Sequence, residues 1–214
     1  MTVHLDTQVD LENAIAALVS RDPRLKPILK VAGMPALRRR EPGYAGLAAI
    51  VCGQQVSTAS AAAIWGRVSA AFDPFHHDAV RRARADRLGR LGLSAAKIRT
   101  LKSLARELAA ERLDLEALAD ADADAAHGTL TALHGIGPWT AEYVAMRALR
   151  DPDAFMPTDL GIRKGAVALG LPDDPAHLRE LTEHWRPWRS YAMAHLWAMA
   201  AAATPQPSMK GRAA

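Results

Sequence analysis

Apolar residues in this 214-residue chain recur three and four positions apart between Pro and Gly breaks, which is the period of helices buried on one face. No segment sustains the alternation a half-buried strand needs, apart from a few residues near the N-terminus. Ala and Leu dominate while β-branched and aromatic residues are sparse, which also favours helix over sheet. The pattern predicts an all-α chain, with helices near 9–19, 22–31, 45–71, 79–88, 94–110, 123–133, 138–149, 159–169, 175–184 and 187–202. Ser94 and Asp159 read as N-caps, and Pro138 suits the first position of its helix, where a missing N–H costs nothing. The run Arg38 to Gly43 reads as a connection, and 204–214 as a flexible tail. One helical domain over 1–203 is expected, with lobes of about 45–150 and of 1–44 plus 151–203.

Composition excludes several classes. Half of the residues are hydrophobic, so the chain has material for a core and is not disordered. A single cysteine, Cys52, excludes an intramolecular disulfide framework, a Cys-rich zinc site and a four-Cys iron–sulfur cluster. The first ten residues lack the basic-then-apolar pattern of a signal peptide, and the apolar run near Ala198–Ala203 is too short to span a bilayer. A soluble, cytoplasmic monomer with no membrane partner is expected. The net charge of +4 is compatible with a polyanionic partner without demanding one.

The segment Leu130 to Ala141 carries more chemistry. One helix ends near Leu133, a Gly135-Ile136-Gly137 turn follows, and Pro138 opens the next helix. Glycines there permit positive φ and leave no side chain to hold a phosphate away. The N–H groups of Gly137, Trp139 and Thr140 then lie at a helix N-terminus, which attracts anions by dipole and geometry. Such a helix–hairpin–helix turn grips a nucleic-acid backbone without reading its sequence. In the helix that follows, Trp139, Tyr143 and Met146 share one face and Ala141, Val144, Ala145, Ala148 and Leu149 the other. The second set is an ordinary core stripe. The aromatic set is either core too or the wall of a cleft where a flat cationic ring would stack.

Asp159 follows Pro157-Thr158 at the start of a helix. An N-cap is the plain reading of that position. A carboxylate fixed there would also stabilise positive charge developing on a sugar, and orient an attacking water.

Together these segments resemble the helix–hairpin–helix DNA glycosylase superfamily, and within it the bacterial alkylpurine branch, DNA-3-methyladenine glycosylase II. The matching stretches are Ile50 to Ser57, Leu133 to Tyr143, Asp153 to Asp159, and Trp185 to Tyr191 continuing through Trp197. The resemblance implies a two-lobed helical body with the active site in the cleft between lobes. It implies Asp159 as the catalytic aspartate, and Asp159 follows Trp139 by the 20 residues that suit the alkylpurine branch. Trp139, Tyr143 and Trp197 match the aromatic wall of the base pocket. Gly135, Gly137 and Thr140 match the DNA-gripping hairpin, and the carbonyls of Thr131, Leu133 and Ile136 match positions that hold a monovalent cation, Na+ or K+, when DNA is bound. No other cofactor is implied. Gln55 falls where a wedge fills the gap left by a flipped nucleotide, although the best-known relatives carry an apolar side chain there. Gln54 and Ser57 are its neighbours on the same helix and share in DNA binding.

The implied activity is monofunctional hydrolysis of alkylated purines from double-stranded DNA in base excision repair, leaving an abasic site. Members that also cut the strand use a lysine where this chain has Trp139, so no Schiff base is expected. Lys164 lies on the helix after Asp159 and reads as solvated. Arg147, Arg163 and Lys164 are candidate phosphate contacts, and His134 reads as a surface residue of the hairpin. Two other readings stay open at this level: a DNA-binding module without catalysis, and a glycosylase-lyase acting on oxidised bases.

Overall fold

The computed structural model describes residues 7–37 and 43–203, so the Arg38–Gly43 connection lies largely outside the described residues and the tail from 204 wholly so. Every regular element among the described residues is helical. The chain divides into two compact units, one formed by its central part up to Ala154, the other by 7–37 together with the part from Phe155 onward.

In the central unit, α3 (Gly43–Gly53) is buried almost throughout, from Tyr44 to Cys52. Helices α4 (Thr58–Ala70), α7 (Ala95–Ala109), α8 (Leu115–Asp120) and α10 (Pro138–Arg147) all pack on it. The short α5 (His77–Arg82) and α6 (Ala85–Arg90) lie on α7, and α9 (Ala123–Ala132) pairs with α10. Leu47, Val51, Val68, Leu101, Leu104, Leu130 and Val144 form the shared core. In the other unit, α1 (Gln8–Arg21), α2 (Lys26–Val31) and α11 (Leu160–Ala168) pack on α13 (Arg189–Ala203), while α12 (Pro175–Leu181) leads into the 3-10 turn Glu183–Trp185. Helices α11 and α13 approach each other closely: a Cβ on Gly165 would collide with the backbone of Leu196. Only glycine lets these two backbones meet.

Three expectations about elements need correction. The single helix expected over 45–71 is two, α3 and α4, because Gln55 adopts a left-handed φ of 54° and Ser57 caps α4 through its hydroxyl. The helix expected over 79–88 breaks at extended Ala83 and Arg84, giving α5 and α6. Helix α8, not anticipated, is a short turn capped by the Asp114 carboxylate, which accepts from the amides of Glu116 and Ala117. Periodicity runs unbroken across the first two breaks and is too brief to register in the third.

Candidate nucleic-acid and base-excision site

The hairpin between α9 and α10 is built by one glycine of each kind. Gly135 has φ +80°, and a Cβ on it would fall inside Thr100 of α7, so both conformation and space require glycine. Gly137 has an ordinary φ of −86°, so positive φ is not its role. A Cβ there would meet nothing, which leaves the approach to the N-terminus of α10 open. No side chain caps that helix. Ile136 is buried and its N–H donates to the Leu133 carbonyl at 3.1 Å, closing the turn. Thr131, half-buried, turns its hydroxyl back to the His127 carbonyl. His134 is exposed.

Thr140 is buried, and its hydroxyl accepts from the Gln54 side-chain amide at 3.1 Å. The same amide nitrogen donates to the Gly135 carbonyl, also at 3.1 Å. Gln54 therefore faces the hairpin, and it sits in the α3–α4 loop with Gln55 and Ser57 rather than on a helix. Gln55 and Ser57 are exposed at that loop.

On α10 the rings of Trp139 and Tyr143 stack at 5.2 Å between centroids and 8° between planes. Trp139 is 37% exposed, so a flat ligand has a ring to meet. Met146 is buried and does not extend this exposed stripe, while Ala141, Val144, Ala148 and Leu149 are buried as a core face. The buried guanidinium of Arg147 lies 5.5 Å from the centre of the Tyr143 ring, which removes Arg147 from the candidate phosphate contacts.

In the other unit Asp159 is the N-cap of α11. Its Oδ1 accepts from the Ile162 amide at 2.9 Å and from the Trp197 indole N–H at 2.8 Å. Two donors on one oxygen set the plane of the carboxylate. Trp197 reaches it because residue 161 is glycine: a Cβ there would come within 2.7 Å of the indole and 3.1 Å of Asp159 Oδ1. Trp197, expected as pocket wall, is placed as a donor to the carboxylate. Arg163 is paired with Asp173 at 2.9 Å and is committed to that turn, whereas Lys164 is exposed.

A central helix pair around a Gly-x-Gly-Pro hairpin, followed by a helix-capping aspartate, can be compared with known proteins. Residues 48–190 match the model of the HhH-GPD superfamily of base excision DNA repair proteins. The chain belongs to this superfamily. The DNA-3-methyladenine glycosylase 2 of Escherichia coli is 31% identical over 222 residues, covering 92% of this chain and 76% of that protein. The Mycobacterium tuberculosis protein named "Probable bifunctional transcriptional activator/DNA repair enzyme AlkA" is 40% identical over 207 residues, covering 90% of this chain. The chain spans only 40% of that mycobacterial relative's length. Among solved structures, the 3-methyladenine DNA glycosylase of Schizosaccharomyces pombe in complex with abasic DNA superposes with a TM-score of 0.79 at 27% identity, over 86% of this chain and 95% of that one. The DNA-3-methyladenine glycosidase of Bacillus halodurans does so at 0.77 and 28%, over 92% and 91%.

Within this HhH-GPD chain, two features were not anticipated from sequence: the Gln54 clamp on the hairpin and the donor role of Trp197. Both are side-chain hydrogen bonds between residues 38 or more positions apart. Their only sequence trace is the small residue that makes room for the second, Gly161. Among the described residues no cluster of His, Cys, Asp or Glu offers a metal site, and no helix is long and apolar enough to cross a membrane.

Proposed function

We propose that the chain is a monofunctional DNA glycosylase that hydrolyses the N-glycosidic bond of alkylated purines in double-stranded DNA, 3-methyladenine first and 7-methylguanine second. The observation that carries the reading is the carboxylate of Asp159, held through Oδ1 by the Ile162 amide and the Trp197 indole. As the C1′–N bond breaks, positive charge grows on the deoxyribose. A carboxylate whose orientation is set beforehand stabilises that charge without reorganising. Water then bonds to C1′ through its oxygen and passes a proton to the Asp159 carboxylate, which returns it to solvent, and the base leaves with the electron pair of the broken bond. An N3- or N7-alkylated purine starts cationic and departs neutral, so the reaction needs little general acid. The names of the relatives, among them the E. coli and S. pombe 3-methyladenine glycosylases, support this substrate class.

The Trp139–Tyr143 pair supplies a stacking surface for the extruded base, worth about 1–2 kcal/mol for a desolvated cationic ring. Extrusion itself costs a few kcal/mol, which contacts to the DNA backbone offset. The N-terminus of α10, uncapped by any side chain and approached past Gly137, suits a phosphate. The neutral carbonyls of Thr131, Leu133 and Ile136 are hard oxygen donors that suit an alkali cation beside that phosphate. Strand cleavage is not part of the reading, because the indole of Trp139 has no amine to attack C1′ and Lys164 is solvated. The reading carries a cytoplasmic monomer, with gel filtration as its check.

The test is release of free base from methylated DNA by the wild type and Asp159→Asn, with DNA binding measured in parallel. The expected result is release of 3-methyladenine by the wild type and a loss of about 10²-fold or more in the variant, with binding kept. A wild type that binds DNA but frees no base overturns the reading. Borohydride trapping of a protein–DNA adduct would overturn the monofunctional part alone.

A further inference from the structure

Three contacts in the central unit close a triangle whose members the proposed reaction uses separately. At the first corner, the Lys97 ammonium on α7 donates to the Cys52 carbonyl at 2.8 Å, a cation at the C-terminal end of α3 from which the Gln54–Ser57 loop departs. At the second, one helical turn further along α7, Thr100 is buried directly against Gly135 of the hairpin. At the third, the Gln54 amide joins loop to hairpin by its bonds to the Gly135 carbonyl and the Thr140 hydroxyl. Loop and hairpin are thereby braced on the same stretch of α7 and tied to each other.

The next residue shows why the tie matters. Gln55 is exposed at the tip with φ 54°, a left-handed conformation that costs a non-glycine residue about 1 kcal/mol. It persists only where neighbouring bonds over-determine it, and the bonds immediately beside it are those of Gln54, including its own N–H to the Val51 carbonyl at 3.2 Å. We propose that Gln54 is a positioning residue: by clamping the hairpin it holds Gln55 in a probing pose set by the phosphate grip, so that backbone binding and probing of the base stack act as one device. This inference rests on the glycosylase reading for its substrate, and concerns how damage is found rather than how the bond is cut.

A two-by-two set of variants tests it: wild type, Gln54→Leu, Gln55→Ala and the double variant. Leu keeps the bulk of Gln54 and removes its donor. Each protein is titrated, across a range of salt, against an undamaged duplex and the same duplex carrying a tetrahydrofuran abasic analogue. The readout is the ratio of the two affinities. Gln55→Ala is expected to lower the ratio about fivefold or more, Gln54→Leu to lower it as much with an unchanged salt slope on undamaged DNA, and the double variant to fall no further. Thr140→Val removes one acceptor of the clamp from the hairpin side, and replaces Gln54→Leu in the cycle if that variant does not fold. The proposal is overturned if the two effects multiply, if either single variant leaves the ratio intact, or if Gln54→Leu weakens both duplexes equally with a flatter salt slope. That last outcome marks a merely structural residue. Wild type that frees no base from methylated DNA yet shows the coupling sinks the glycosylase reading and leaves the clamp standing.

Discussion

Asp159 and Trp197 show how much one hydrogen bond can decide at the scale of a residue. If Trp197 serves only as a flat wall, Phe in its place keeps the function. If its N–H orients the carboxylate, Trp197→Phe lowers kcat about tenfold with KM little changed, the pattern of an interaction that matters most in the transition state. Steady-state kinetics on methylated DNA separates the two, and equal activity of wild type and variant returns Trp197 to the wall. Gly161→Ala is expected to act in the same direction, because its methyl group would displace the indole from Asp159. Asp159 was legible in the sequence as an N-cap, by its place after Pro157-Thr158 and before a helix. Its partner was not, since nothing local to Trp197 announces a carboxylate 38 residues away.

At the scale of elements, most helices were readable, with the starts at Ser94, Pro138 and Asp159, whereas the breaks inside 45–71 and 79–88 and the short α8 were not. Ser57→Ala should cost about 1 kcal/mol, as the loss of an N-cap that accepts from the Ser60 amide at 3.2 Å. Urea denaturation checks it, and no change in midpoint would mean that α4 is held by packing alone. Gly165→Ala should cost more, about 2 kcal/mol or above, because the added methyl must displace the Leu196 backbone where α11 and α13 meet. A Tm equal to that of the wild type would show that the two helices can part without loss. The break between α3 and α4 escaped the sequence because Gln54-Gln55-Val56 contains no helix breaker. The left-handed turn there sits among bonds to α7 and the hairpin that local propensity does not record.

For the whole molecule the most telling buried group is His195, within α13 and fully buried. Burial pushes its pKa down to about 4, an effect the Leu25 backbone offsets only in part. The unfolded chain therefore takes up a proton near pH 6.5 that the folded chain refuses until about pH 4. Stability is complete above that upper value and declines as pH falls through the window, by about 3 kcal/mol in all. Asp22 does not share this window. Burial would raise its pKa, but hydrogen bonds from Arg24 and Trp185 outweigh burial and hold it well below the usual carboxylate range, so its contribution survives to lower pH. Urea titrations at pH 7 and pH 4.5 should show the difference, and His195→Leu should flatten it. An undiminished slope in that variant would assign the proton uptake to another group.

By itself, the sequence determined that the chain is helical, that a glycine hairpin separates two helices, and that an aspartate caps a later one. Each of these follows from forces acting over a few residues: periodic burial, φ preference and amide capping. Only the tertiary structure decided which polar side chains meet within each unit. Gln54 turned out to brace the hairpin, Thr140 to face inward with its hydroxyl, Arg147 to lie buried against Tyr143, and Trp197 to hold Asp159. Those outcomes depend on a donor and an acceptor, or a cation and a ring, being carried to within a few ångströms by packing. Local pattern records which faces are apolar, but not which polar atoms that packing brings together.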